Sequence, residues 1–457
     1  MNRSKATRRG FLKRSAGLAA AGIAVPYVWT GGYARAESPN ARLRLGAIGV
    51  GGQGSGIARN AARFAELVAC CDVDRNRAEQ FAAGSKAEKP GRKGKAAKSA
   101  PAPQPEQSGP RPKIEIYEDF RKLLDRKDID VVTIGTPDHW HTAIAVRAIK
   151  CGKDVYCEKP LTLTIEESKL ISKTVKETGR VFQVGTQQRS TGPFLKALAL
   201  VRKGRIGKVQ KATCSIGAGP RGGPFQEGDP PKGLNWDFWL GQAPKVPYVK
   251  ERCHYQFRWW LEYSGGKLTD WGAHHIDIAH WGLGKELTGP VTIQGEGDYP
   301  KGTNCYNTAV TFHCDLIFAD GTKIHVQHGP DNGIWFEGDQ GQIFVNRGKL
   351  TGKPVEELTK KDDDWIDQTI RELYKGKKPG NHMGNFFECV RERVQPISDV
   401  FTHHRTIASC HLANIAMRLG RKLTWDPVKE DFVGDAEASA MVGRQQRKGY
   451  TIEEMIG

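Results

Sequence analysis

The chain reads as α/β plus α+β: an N-terminal Rossmann domain on a doubly wound parallel sheet, then a second domain on a large, mostly antiparallel open sheet. Three observations carry that prediction. Short apolar runs alternate with helical patterns from Leu43 to Val184, the rhythm of strand-helix-strand units. A glycine-rich turn follows the first run directly, at Gly49 to Gly54. Beyond about residue 205 the text changes to longer strands punctuated by Trp and Gly, without internal repeat.

In the first domain, residues 42–185, Leu43 to Val50 is a strand entering the glycine turn, Gly56 to Phe64 a helix, and Leu67 to Cys71 a buried strand ending in Asp72. Strands follow at Ile114 to Tyr117, Val131 to Ile134, Asp154 to Cys157 and Val181 to Val184. The helices between them are expected at Phe120 to Leu124, Thr142 to Lys150 and Ile165 to Thr178. Such alternation predicts parallel strands with right-handed crossovers. The second domain, residues 186–400, should hold strands at Gln210 to Ile216, Val291 to Gly297, Ala309 to Phe318, Lys323 to His328 and Gly341 to Val345. A helix at His382 to Val394 is followed by the last segment, residues 401–457, a C-terminal helix at His403 to Leu419 and a tail.

At 457 residues with 11 Trp and 17 Phe, the chain has material for two or three cores. The first 36 residues stand apart, with seven basic side chains and no acid. They combine the twin arginines Arg8-Arg9, an apolar stretch from Ala16 to Val28, and Ala34-Arg35-Ala36 in the small-x-small form of a cleavage site. That stretch falls short of the roughly 20 apolar residues a spanning helix needs. The segment therefore predicts a twin-arginine signal peptide, export machinery as a partner, a periplasmic or otherwise exported product, and no stable membrane anchor after cleavage. It resembles the route of proteins that fold and load a cofactor before export.

The net charge of +18 invites a nucleic-acid reading, but residues 1–36 carry +7 and residues 84–113 carry +6, leaving +5 elsewhere. The 84–113 segment is rich in Lys, Ala and Pro and has no aromatic residue. It reads as a disordered basic insertion without stacking platforms, so no nucleic-acid partner is expected. The ten cysteines lack CxxC or Cys/His spacing, which predicts neither a structural metal nor a disulfide framework.

Gly49-Val50-Gly51-Gly52-Gln53-Gly54 has the G-x-G-x-x-G form between a strand and a helix. Its glycines permit a tight turn and close approach of a pyrophosphate to a helix N-terminus. Asp72, at the end of the second strand, suits a ribose 2′-hydroxyl and favours NAD over NADP, with Arg75 as the contrary signal. Glu158-Lys159-Pro160 follows the strand ending at Cys157. With the glycine loop about 110 residues earlier, this placement resembles the glucose-fructose oxidoreductase, inositol dehydrogenase and rhizopine-catabolism (Gfo/Idh/MocA) family, over residues 42 to 425. The resemblance implies that Glu158 and Lys159 stand beside a nicotinamide.

A cation at Lys159 would stabilise the alkoxide developing from a reacting alcohol. In Gly265-Gly266-Lys267-Leu268-Thr269-Asp270-Trp271-Gly272-Ala273-His274-His275-Ile276-Asp277, a single helix would set Asp270, His274 and Asp277 on one face. The resemblance implies that His274 is the proton acceptor, with Asp270 orienting it or binding a neighbouring hydroxyl; an ordinary imidazole pKa suits that exchange. His275 points elsewhere. Thr136, Pro137, His139 and His141 lie at the carboxyl edge where such sheets bind ligands, although the two histidines equally suit a helix cap. Gln187 and Arg189 are placed to reach the nicotinamide ribose or the substrate. Trp236, Trp239, Arg258, Trp259 and Trp260 suit either sugar stacking or a core.

Three functions fit these residues. The first is NAD(P)-dependent hydride transfer with a sugar, polyol or cyclitol, NAD being tightly bound. The second is a glycoside hydrolase or lyase using transient sugar oxidation, and the third a non-catalytic sugar-binding protein. A broad sheet in the second domain suggests a homodimer or homotetramer.

Overall fold

A computed structural model describes residues 42–84 and 113–457. The targeting segment 1–36 and all but the edges of the basic insertion 84–113 lie outside the described residues. Arg42–Gly457 forms one unit.

The six apolar runs of the first half pair in parallel: β1 Arg44–Ile48, β2 Glu66–Cys71, β3 Glu115–Tyr117, β4 Val131–Ile134, β5 Asp154–Cys157 and β6 Phe182–Val184. Their order, β3-β2-β1-β4-β5-β6, reverses direction between β1 and β4. That reversal opens a crevice at the carboxyl ends of the strands. β4 and β5 are buried at every position, as expected for strands covered on both faces.

Two helix starts differ from the sequence reading, and both matter to the crevice. The first helix is Gly52–Ala61, beginning four residues earlier than expected, so the end of the glycine loop is its first turn. The helix expected from Thr142 is Asp138–Lys150. It starts directly after Pro137.

The second sheet has nine strands: β7 Val209–Ile216, β8 Thr292–Asp298, β9 Thr311–Ile317, β10 Lys323–His328, β11 Gly333–Gly338, β12 Gly341–Val345, β13 Leu350–Thr351, β14 Leu423–Asp426 and β15 Asp431–Phe432. Their order is β13-β12-β11-β7-β10-β9-β8-β14-β15, antiparallel except for the β7–β10 pair. The helices Gly272–Leu283 and Val400–Leu419 pack on this sheet and are buried along most of their length. The chain does not end in a free helical tail: β14 pairs with β8, and the last helix, Ile452–Ile456, lies against Asp138–Lys150. Among the described residues no helix is long and apolar enough to cross a membrane, and no cluster of His, Cys, Asp or Glu suits a metal ion. All ten cysteines are free thiols.

Candidate active site

The crevice is a cavity of about 1160 Å³ running from Asp72 and Asn76 at one end to Lys159, Asp270, His274 and Arg347 at the other. That exceeds the few hundred to 1,000 Å³ of ordinary small-ligand pockets and suits a dinucleotide together with a second molecule.

The glycine loop is built for backbone approach. Gly49 has φ +74°, and a Cβ there would lie 2.6 Å from the Thr136 nitrogen. At Gly54 a Cβ would stand 1.8 Å from the Gly49 oxygen, so the third glycine seats the helix on the loop rather than lining the cavity. Gly51 is overlaid by Arg77, whose Nη1 would be 2.3 Å from a Cβ, while Gly52 has nothing within 4 Å. Asp72 ties the loop to β2: Val50 N–H donates to its Oδ2 at 2.9 Å and Asp74 N–H to its Oδ1 at 3.0 Å. Burial raises its carboxyl pKa, against those bonds and the Arg77 charge. Arg75, the sequence's contrary signal, turns instead to Glu79 at 2.7 Å on the exposed face.

At the far end, Lys159 Nζ donates to Asp270 Oδ1 at 2.6 Å and to the Asp270 carbonyl at 3.1 Å. Arg258 Nη1 donates to Asp270 Oδ2 at 2.7 Å. Burial would raise the Asp270 pKa, but the charges of Lys159 and Arg258 prevail and hold it at about 2. Glu158 accepts from Gln53 Nε2 at 3.2 Å, from Gln187 Nε2 at 3.1 Å and from the Lys159 N–H at 3.2 Å. Its pKa is nevertheless raised by burial.

His274 makes no hydrogen bond through its ring among the described residues, and its Nδ1 is fully buried. Burial, then the charges of Lys159 and Arg347, push its pKa well below the ordinary value. Its surroundings thus favour the neutral imidazole, where its type alone suggested a group poised near 6.5. Thr136 Oγ1, on the same cavity wall, is likewise buried without a partner. Loop glycines that a Cβ would block, Asp72 on the cavity wall at the end of β2 and unpartnered polar atoms on the wall together fit a dinucleotide.

Four expected site residues lie elsewhere. Asp277 sits one helical turn beyond His274, about 4.5 Å further along the axis, deep in the core instead of at the cavity. There it takes Arg189 through both oxygens at 2.7 Å and Thr406 Oγ1 at 3.1 Å, and neither member of the pair reaches the cavity: their side chains are 3% and 0% exposed. Trp236 stacks on Trp239 at 4.8 Å and donates Nε1–H to the Val246 carbonyl; Trp239 lines the cavity in its place. His141 is buried behind the wall, its ring nitrogens 2.8 Å from the Pro160 carbonyl and 3.0 Å from that of Thr136, so it braces the lysine turn instead of meeting a cofactor. His139 is buried against Trp239 and Tyr263. Trp259 and Trp260 are core residues, and His275 is held by Gln188 and Asn332.

The cavity also takes residues the sequence reading missed: Arg77, Asp138, Tyr255, Trp271 and Arg347. Asp138 accepts from Ser264 Oγ at 2.5 Å, and burial pushes its carboxyl up to about 8. It carried one readable signal, its place at the carboxyl edge after Pro137. Arg347 comes from a hairpin of the second sheet and carried none.

Fold and site define the molecule as a dinucleotide-binding oxidoreductase acting on CH–OH groups. The family model for the NAD-binding Rossmann fold of the Gfo/Idh/MocA oxidoreductases matches residues 43–186, and that for their C-terminal alpha/beta domain matches residues 225–452. The chain belongs to this family. It is 28% identical over 296 residues to a scyllo-inositol 2-dehydrogenase (NAD+) of Bacillus subtilis, covering 61% of this chain and 73% of that protein. It is 32% identical over 259 residues to a levoglucosan dehydrogenase of Pseudarthrobacter phenanthrenivorans, covering 50% and 58%. A glycosyl hydrolase family 109 protein of Shewanella pealeana is 30% identical over 224 residues, covering 45% and 44%. For the last two, the match spans about half of the relative's length. The WlbA dehydrogenase of Bordetella pertussis, solved with NADH and UDP-GlcNAcA, shares the fold with TM-score 0.59 at 18% identity, over 85% of this chain and 99% of that one.

Proposed function

We propose that the chain catalyses NAD-dependent hydride transfer to and from a hydroxyl carbon of a sugar, polyol or cyclitol, with Lys159 and His274 handling the proton. The observation that carries this reading is convergence: Lys159 and Asp270, 111 positions apart, meet at 2.6 Å in the same cavity as the glycine loop and His274. When bound, the nicotinamide exchanges hydride with the reacting carbon. Gly49, Gly51, Gly52 and Asp72 would hold the adenosine and pyrophosphate portion; Thr136, Pro137, Glu158 and Gln187 would border the nicotinamide portion.

An ammonium has three donors, and Asp270 takes two from Lys159. The third serves the substrate oxygen and stabilises its developing negative charge. His274, kept neutral by its surroundings, accepts the hydroxyl proton. Asp270 positions Lys159 and Arg258 together. Asp72 supports NAD over NADP, since a 2′-phosphate would face its carboxylate.

Around this chemistry we place four expectations: a twin-arginine signal at residues 1–36, an exported product, a cofactor retained from the cytoplasm, and a homodimer or homotetramer. A second reading, hydrolysis through transient oxidation, draws support from the family 109 relative. One experiment separates them. Purified protein is offered a sugar, cyclitol and glycoside panel with NAD, beside Lys159→Ala and His274→Ala. NADH formation that the two substitutions lower by about 100-fold or more supports the dehydrogenase; aglycone release without net NADH supports the hydrolase; full activity in both variants contradicts the catalytic assignment.

A further inference from the structure

Lys159, Arg258 and Arg347 line the substrate end of the cavity, Lys267 lies close behind them, and one carboxylate pairs with two of the four. Asp270 pairs Lys159 and Arg258. Lys267 and Arg347 have no ion pair among the described residues, although Asp270 bears electrostatically on both. The nearby Asp138 is pushed toward its neutral form by burial, and Glu158, on the same wall and also raised by burial, bears on Lys159 and Arg347 without forming an ion pair with either.

Of the two unpaired cations, Arg347 lines the cavity. It stands in the turn between β12 and β13, where Asn346 Oδ1 accepts the N–H groups of Gly348 at 2.9 Å and Lys349 at 2.8 Å and so holds the turn closed. Its guanidinium lies over the Trp271 ring, 4.7 Å from the centroid. The turn sets the backbone and the ring supports the guanidinium of this exposed residue, whose N–H groups make no hydrogen bond among the described residues; a planar guanidinium so placed can take a carboxylate with two parallel hydrogen bonds.

We propose that the substrate is a sugar acid, a uronate or aldonate whose carboxylate docks on Arg347 while its reacting hydroxyl meets Lys159 and His274. The proposal rests on the dehydrogenase reading above. One cavity-lining cation without a partner matches a carboxylate's single charge better than the roughly −1.5 to −2 of a phosphate monoester. The electrostatics of the proton acceptor point the same way. Burial, then Lys159 and Arg347, disfavour protonated His274, and an acceptor held below its ordinary range is a weaker base. An anion on Arg347 offsets one of those charges and lifts His274 back toward its working range, so the charged substrate activates its own base.

The test uses matched pairs, D-glucose with D-glucuronate and with D-gluconate, D-galactose with D-galacturonate, and glucuronate beside glucose 6-phosphate. Each is offered with NAD to the wild type, Arg347→Gln and Arg347→Lys, and uronate binding to the NADH-loaded protein is followed by calorimetry. Expected is a kcat/KM at least about tenfold higher for the carboxylate member. Arg347→Gln should lower that member about 10- to 100-fold, mainly through KM, with a much smaller change for the neutral partner, and Arg347→Lys should restore part of the loss. Calorimetry should show uronate binding that Arg347→Gln weakens. Turnover confined to neutral members, or equal losses on both, overturns the sugar-acid assignment and leaves the dehydrogenase standing; preference for the phosphate overturns the carboxylate. Arg347-dependent uronate binding without NADH formation from any compound overturns the dehydrogenase and keeps the anion site. Neither turnover nor uronate binding overturns both.

Discussion

Two acid–base clusters on one stretch of chain behave differently. Asp270 joins Lys159 and Arg258 where these side chains remain 16% and 17% exposed to the cavity; Asp277, seven positions later, joins Arg189 where neither is accessible. The first cluster keeps donors for a ligand. The second has none to offer: the guanidinium is shared among Asp277, the Ile397 carbonyl and Thr402. Depth, not residue type, separates a reactive ion pair from a structural one.

Substitution should break that comparison cleanly. Asp277→Ala strands a buried arginine and should cost about 3–5 kcal/mol of stability, seen as a large fall in the chemical-denaturation midpoint. Asp270→Ala leaves its cations, 16% and 17% exposed, within reach of cavity water; it should cost clearly less stability than Asp277→Ala while lowering turnover about 10- to 100-fold. Equal stability losses would erase the distinction. A smaller effect sharpens it through pH. Because His274 is held well below its ordinary pKa, kcat/KM for a neutral substrate should show no ionisation near pH 6.5, and Arg347→Gln, by removing a cation, should move the His274 limb upward. A separate effect of pH on stability concerns Asp138, raised from 3.8 to about 8 in the fold. The folded state holds this proton more tightly than the unfolded one, so stability should decline as pH rises from about 4 through 8 and level off above. Asp138→Asn should flatten that part of a melting-temperature profile; an unchanged slope would assign it to Asp72, Glu158 and Glu167, whose carboxyls burial also raises.

Strand and motif signals were legible because they are local. All six strands of the parallel sheet, the glycine loop and the Glu158-Lys159 turn declare themselves through short-range pattern; Asp270 and His274 both line the cavity, but Asp270 binds Lys159 and Arg258 and does not orient His274. The face shared by His274 and Asp277 misled because helical spacing reports angle and not how far along the axis the cavity ends. Trp271 also separates Gly266–Asp270 from Gly272–Leu283, so Asp270 belongs to a different helix. Arg77 rather than Arg75 covers the glycine loop because the helix begins at Arg75 and turns that residue outward. Arg347 was invisible because its place depends on how the nine-stranded sheet meets the parallel one, a contact nearly 190 positions from Lys159 that no local pattern encodes.

The central claim is that Lys159 and His274 act on the substrate and not on the fold or the cofactor. NADH affinity, read by fluorescence titration, and kcat/KM with one substrate should therefore be measured side by side for wild type, Lys159→Ala and His274→Ala. The account predicts affinity within about threefold of wild type and kcat/KM lower by about 100-fold or more in each variant. Wild-type turnover in either variant, or a loss of turnover matched by an equal loss of NADH affinity, would contradict it.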